Sequence, residues 1–139
     1  MTLAFVDTGA WIALATQRDK YHRRAREFFR SIAKDTKLMT SNYVVSETVT
    51  WLTYHRARPA ALTFWRTIEE SQRSGLLDLE WVTPAVHRQA WEFFRRYDDK
   101  ALSFCDCRSF AICIERRVDF VFGFDSDFLS VGLDLRPEP

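Results

Sequence analysis

Four carboxylates stand where apolar segments break off or are interrupted: Asp7 after Leu3-Ala-Phe-Val6, Glu47 within Tyr43–His55, Asp106 in Phe104-Cys-Asp-Cys107, and Asp125 after Val118–Phe124. Asp7 and Asp125 each close a run that reads as a buried strand, which puts both at the carboxyl edge of a sheet. Glu47 and Asp106 lie near the starts of helical segments, and a helix that follows a strand begins at that same edge. Glu47 shares a helical face with Val44 and Trp51, so a charge interrupts an apolar stripe. Asp106 sits in the most apolar helical segment of the chain. Carboxylates gathered in such surroundings are costly to ionise, because each is desolvated and repelled by its neighbours. Apart from Arg108, no Lys or Arg lies in the four local segments. A hard divalent cation with oxygen ligands, Mg2+ or Mn2+, answers that need, and it suits hydrolysis of a phosphodiester by a metal-activated water. Asp7 and Asp106 are the expected direct ligands.

Each acid also has a plain structural reading. Asp106 could complete a capping box with Ser103, a role compatible with ligation. Asp7, before Thr8-Gly9, could serve as a turn or cap residue. Asp125-Ser-Asp127-Phe could be a turn that opens a short helix. Glu47 is the one for which an apolar face makes a merely solvated role hard to sustain.

The elements that must position these acids alternate. After the Leu3–Val6 strand comes a helix over Ala10–Ala15, then an amphipathic helix over Tyr21–Lys34, with Tyr21, Ala25, Phe28, Phe29 and Ile32 on one side. Lys37–Thr40 reads as a strand, with Ser41 or Asn42 as helix cap. Tyr43–His55 is rich in β-branched residues, but its length and spacing favour a helix. Pro59 opens a helix that runs to about Ser74 and is closed by Gly75. Leu77–Val82 reads as an edge strand, and Thr83-Pro84 starts a helix carrying Val86, Ala90, Phe93, Phe94 and Tyr97. Ser103 to about Arg116 is a central helix, Val118–Phe124 a strand, and Leu133–Leu135 a weak last strand. Alternation of this kind indicates an α/β domain with a mostly parallel sheet, and such sheets bind ligands at the carboxyl ends of their strands.

Composition sets the limits. At 139 residues with twelve Phe and five Trp, the chain holds one core and no evident linker, so a single domain over 1–139 is expected. Two prolines, Pro137 and Pro139, mark a tail expected to fray. Net charge is only +1, so any nucleic-acid surface must be local. Such a surface has two candidates: the Arg/Lys face of the Tyr21–Lys34 helix, and Arg95, Arg96 and Lys100 just ahead of the Ser103 helix. The three cysteines, Cys105, Cys107 and Cys113, lack zinc-ribbon spacing and read as buried thiols of a reducing compartment. His22, His55 and His87 have no catalytic companions. With no leader ahead of the first strand and no run long enough for a membrane span, the expected location is the cytoplasm.

Val6-Asp7-Thr8-Gly9-Ala10-Trp11, Asn42-Tyr-Val-Val-Ser-Glu47, Leu102-Ser-Phe-Cys-Asp106 and Gly123-Phe-Asp125-Ser-Asp127-Phe128 together resemble, in order and spacing, the PIN-domain family, and within it the VapC-type toxin ribonucleases. The resemblance spans essentially the whole chain. It implies a PIN-like three-layer sandwich, a central sheet flanked by helices, and a divalent-metal endoribonuclease with Asp7, Glu47, Asp106 and Asp125 as ligands. It further implies that Thr8 supports Asp7 by hydrogen bonding, that Asp127 is an accessory acid, and that Ser103 assists Asp106. The partners it implies are an RNA substrate, a small antitoxin and a second copy of the chain. The helix around Thr63-Phe64-Trp65 is a guessed face for the dimer or the antitoxin. One departure stands out: the position of Gly123 is often Ser or Thr in this family, and its hydroxyl is missing here. Two rival readings are a PIN-fold RNA-processing nuclease without an antitoxin and a non-catalytic RNA-binding or scaffold module. A phosphatase with Asp7 as nucleophile lacks the second Asp that such enzymes place two residues on.

Overall fold

The computed structural model describes residues 1–138; Pro139, half of the expected frayed tail, lies outside the described residues. The chain begins with β1 (Thr2–Val6), α1 (Thr8–Ala15), α2 (His22–Ile32), β2 (Thr36–Ser41), α3 (Asn42–His55) and α4 (Arg58–Arg73). It continues with β3 (Leu77–Glu80), α5 (Pro84–Arg96), α6 (Phe104–Glu115), β4 (Phe120–Phe122), α7 (Asp127–Ser130) and β5 (Leu135–Arg136). The strands form one sheet in the order β3-β2-β1-β4-β5, and every pairing is parallel. Parallel strands need crossovers, and right-handed crossovers put the helices leading leftward and rightward from β1 on opposite faces. Accordingly α1 to α4 pack among themselves, and α5 packs on α6, giving three layers.

Local chemistry explains the boundaries. Ser41 caps α3, its Oγ accepting from the Val44 N–H at 3.1 Å, and Thr48 turns its hydroxyl back to the Val44 carbonyl at 2.8 Å. These bonds let a β-branched segment settle as a helix. Thr83 caps α5 ahead of Pro84, and Gly75, at φ 82°, takes the left-handed turn that ends α4. As expected, β3 lies at an edge; its outward acids are paired, Asp78 with Lys37 at 3.2 Å and Glu80 with Arg116 at 2.6 Å.

The central strands are buried on both faces. Phe28 of α2 meets Phe120 and Phe122 edge-on, while Phe110 of α6 meets Phe128 at 5.1 Å. Fully buried Phe5, Phe110, Phe122, Phe128 and Met39 anchor the core. Among the described residues, no helix is long and apolar enough to cross a membrane.

One strand is shorter than its apolar run. Expected to reach Phe124, β4 ends at Phe122, because the backbone bends at Gly123 and the Phe124 ring leaves the sheet to stack on Tyr21, 4.2 Å between centroids. The last strand likewise falls on Leu135–Arg136 instead of Leu133–Leu135.

Candidate active site

Successive connections run outward from β1 in both directions, so the switch point of the sheet lies between β1 and β4. Asp7 occupies it. Its backbone N–H donates to the Phe122 carbonyl at 3.0 Å, and its own carbonyl accepts from the N–H groups of Ala10 and Trp11 at 3.1 and 3.2 Å. Although Asp7 holds the N-cap position of α1, its carboxylate makes no capping hydrogen bond. The side chain is therefore left for another task, yet the residue is only 7% exposed.

Asp7, Glu47, Asp106 and Asp125 line one cleft of about 400 Å³ at this edge, a size typical of ligand sites. Carboxylate oxygens of Asp106, Asp125 and Asp127 lie within 4.8 Å of one another. Three local devices hold them. A capping box joins Ser103 and Asp106: the Asp106 N–H donates to Ser103 Oγ at 3.0 Å, and the Ser103 N–H to Asp106 Oδ2 at 3.4 Å. The Asp127 N–H donates to Asp125 Oδ1 at 2.9 Å, closing an Asx turn. Thr8 Oγ1 donates to Glu47 Oε1 at 2.5 Å, tying α1 to α3.

The electrostatics follow from this crowding. Burial, then repulsion by Asp106 and more weakly by Glu47 and Asp125, pushes the Asp7 carboxyl up to about 8, with only the Thr8 backbone amide acting against it. Asp106 is raised by burial and by Asp125, opposed by its bonds to Ser103. Asp127 is raised by desolvation and by Asp125, with Lys100 pulling the other way. Cys105 sits against Glu47, and burial with the field of Glu47, Asp106 and Asp7 pushes its thiol to about 12. It stays protonated there, poorly suited to act as a nucleophile. Cys107 and Cys113 are buried and free, as expected of thiols in a core, whereas Cys105, expected to be buried with them, is free but only half-buried.

Several expectations need correction. Glu47 was expected to be set in an apolar stripe, but it is exposed and rims the cleft. Its stripe-mate Trp51 is half-buried and lines the same cleft. Thr8, expected to support Asp7 by hydrogen bonding, does so through its backbone amide, while its hydroxyl goes to Glu47. Asp125 does not follow directly on β4, since Gly123 and Phe124 intervene. Arg108 neutralises none of the acids: its guanidinium lies over Tyr43 at 3.8 Å and over Phe104 at 4.6 Å. Of the three basic residues expected near this edge, Lys100 reaches the field of Asp127. Arg95 is paired with Glu92, and Arg96 lies over the Phe93 ring at 5.7 Å. At Gly123 an added Cβ would stand 3.2 Å from Asp7 Cβ. A side chain there would crowd Asp7, which would have to give by a few tenths of an ångström.

The cleft also contains residues that sequence reasoning passed over: Lys20, Tyr21 and Phe124 as well as Trp51. Trp51 was accessible in principle, standing one helical turn beyond Glu47. Lys20 was not, because the turn between α1 and α2 brings it in and no periodicity announces a turn.

Oxygen-only donors fit a hard divalent cation: Asp106, Asp125 and Asp127 bring carboxylate oxygens close enough to share one, and Asp7 and Glu47 line the same cleft beside them. Comparisons with known proteins agree on the fold. The family model of the PIN domain matches residues 4–133. The 23S rRNA-specific endonuclease VapC20 of Mycobacterium tuberculosis is 36% identical over 140 residues, covering 98% of this chain and all of the relative. The crystal structure of that VapC20, described as a Sarcin-Ricin loop cleaving toxin, superposes with a TM-score of 0.84 at 34% identity, covering 94% of this chain and 95% of that one. VapBC2 from Rickettsia felis, solved bound to a promoter DNA fragment, shares the fold at a TM-score of 0.73 and 9% identity, covering 97% and 98% of the chains.

Proposed function

Because the chain belongs to the PIN-domain family and is a homologue of VapC toxin ribonucleases, we propose that it is a divalent-metal-dependent endoribonuclease that acts as the toxin of a toxin–antitoxin pair. The observation that carries the reading is the meeting of Asp7, Glu47, Asp106 and Asp125 in one cleft at the switch point of the sheet. Asp7, Asp106, Glu47 and Asp125 are the proposed ligands, with Asp127, Thr8 and Ser103 in support; Mg2+ or Mn2+ is the proposed metal. When bound, such an ion supplies Lewis acidity toward a phosphodiester and acidifies a water. The chain's own part is to hold the acids in place. Asp7 gives a desolvated carboxyl at the floor, Thr8 fixes Glu47 at the rim, and the capping box fixes Asp106. Lys20 and Lys100 are the cations available to a phosphate near the acids; Arg95 and Arg96 are kept as a remoter RNA contact.

The family model spans residues 4–133, so the whole chain is taken as one nuclease domain. A small antitoxin and a second copy of the chain are the proposed partners, in keeping with a relative described as a toxin. An apolar groove of about 420 Å³, lined by Trp11, Phe29, Phe64 and Leu76 among others, is the surface a partner would cover. The location proposed is the cytoplasm, where an RNA target is met.

The test begins with 23S ribosomal RNA, since that is the substrate class named for the Mycobacterium relative. Cleavage in Mn2+ should vanish with EDTA and with Asp7→Asn, and calorimetry should show Mn2+ binding that Asp7→Asn weakens. Cleavage that survives both EDTA and the substitution would overturn the reading. Growth arrest on expression, relieved by a neighbouring small gene, separates a toxin from an RNA-processing nuclease.

A further inference from the structure

Resting on the ribonuclease reading above, we propose that Trp51, together with the stacked Tyr21–Phe124 pair, forms a nucleobase-stacking subsite that holds an unpaired base of the RNA beside the carboxylates. All three rings line the cleft that contains Asp7, Glu47, Asp106 and Asp125, and all three are half-buried. Trp51 arrives from α3, which follows β2; Phe124 arrives from the turn that follows β4. Because β2 and β4 flank β1, the rings approach Asp7 from its two sides.

Both sets of rings are oriented before any ligand enters. The Trp51 indole lies flat on the His55 imidazole, 4.4 Å between centroids at 10°, and His55 Nδ1 is 3.0 Å from the Trp51 carbonyl oxygen. Phe124 and Tyr21 are parallel within 1° at 4.2 Å. A cation accompanies them: Lys20 Nζ is 4.9 Å from the Tyr21 centroid and lines the same cleft.

A cluster of acids that must hold a metal has no use for the Trp51 face turned away from His55, nor for a stacked ring pair flanked by Lys20 and Arg24. Single-stranded nucleic acid does, because every base offers a π-face and every phosphate a charge. In a duplex the bases are already stacked on one another and none is free to meet these rings. The subsite therefore selects a loop or bulge over a paired stem, and its rings position the strand while the acids face the phosphodiester. Trp51 is a positioning residue: it sets where the backbone lies and leaves the chemistry to the carboxylates.

The test uses an RNA hairpin with 2-aminopurine at the loop base next to the mapped cut. The same hairpin lacking that base, and a fully paired duplex, serve as companions. With the wild-type chain in Mn2+, binding should quench the loop fluorescence, and the duplex should be cut far more slowly. Trp51→Leu should lose the quenching and raise KM on the order of tenfold with kcat little changed. Trp51→Tyr should recover most of both. Removing the base should bring the wild-type KM to that of Trp51→Leu, a comparison that leaves the protein unaltered. If Trp51→Leu and the abasic hairpin both behave as wild type while cleavage persists, the subsite is refuted and the nuclease stands. If the wild type cuts no RNA, both readings fall together.

Discussion

Asp7 is the residue on which the site turns, and its environment makes a prediction about pH. Its carboxyl is raised from 3.8 to about 8, chiefly by burial. Between those values the folded protein keeps a proton that the unfolded chain gives up, so the folded state loses stability as pH rises through that window. Each unit is worth about 1.4 kcal/mol, or roughly 3–5 °C in melting temperature for a chain of this size. Asn at position 7 carries no such proton. In EDTA, the melting temperature of Asp7→Asn should therefore pull ahead of wild type as pH goes from 6 to 8; an unchanging gap would show that Asp7 is not desolvated. A second prediction concerns Thr8, whose hydroxyl binds Glu47 at 2.5 Å. Thr8→Val should weaken Mn2+ binding by roughly 10- to 100-fold, with Thr8→Ser restoring most of it; calorimetry showing wild-type affinity for the Val variant would reduce Thr8 to a packing role. At this scale the sequence picked out four acids that the structure brings into one cleft, but it misjudged their settings. Glu47 looked buried because its stripe with Val44 and Trp51 was assumed to face the core, whereas that stripe runs from the core out to the cleft. Asp7 looked explicable as a cap, but only the side-chain geometry reveals that no cap bond is made.

Elements carry the next level of precision. The first turn of α6 is built by Ser103 and Asp106 together, so helix stability and site geometry share one pair of hydrogen bonds. Ser103→Ala removes the acceptor for the Asp106 N–H and should cost about 1 kcal/mol of stability. Ser103→Thr should keep most of it, and urea unfolding of the two variants measures the difference. Mn2+ affinity should fall in the Ala variant as well, because Asp106 loses its tether; equal stability and affinity in Ala and Thr variants would refute the shared role. The capping box was readable from Ser103-Phe-Cys-Asp106, since it depends on spacing alone. The end of β4 was not. An apolar run cannot distinguish a residue that continues a strand from one that leaves it, and Phe124 leaves to stack on Tyr21. For the same reason Asp125 is placed by its Asx turn with Asp127 instead of by the strand.

Across the whole molecule, alternation of strands and helices was enough to reach a parallel sheet and its carboxyl edge, which is why four acids far apart in sequence could be assigned to one place. The order β3-β2-β1-β4-β5 was beyond it, because each parallel strand is buried on both faces and carries no mark of its neighbours. Charge is the global property with a measurable consequence. The chain has 20 Lys and Arg against 19 Asp and Glu. Six of its basic residues are held in ion pairs: Arg23, Lys37, Arg73, Arg95, Arg116 and Arg136. Arg108 lies between aromatic rings. Lys20 and Lys100 remain as the cations that reach the field of the acids, with Arg24 near Phe124 as a third. RNA binding should then engage only about two or three phosphates, and each contributes about −0.7 to the slope of log affinity against log salt for a single strand. The expected slope is roughly −2, far shallower than for a protein with an extended basic track. Affinity in place of a broad positive field must come from stacking and from the metal, both of which salt screens weakly. Fluorescence anisotropy of a hairpin titrated across a range of KCl measures the slope directly. A value of about −5 or steeper would mean that the Arg-rich face of α2 follows the RNA backbone over many nucleotides, and the compact, cleft-centred mode of recognition would have to be abandoned.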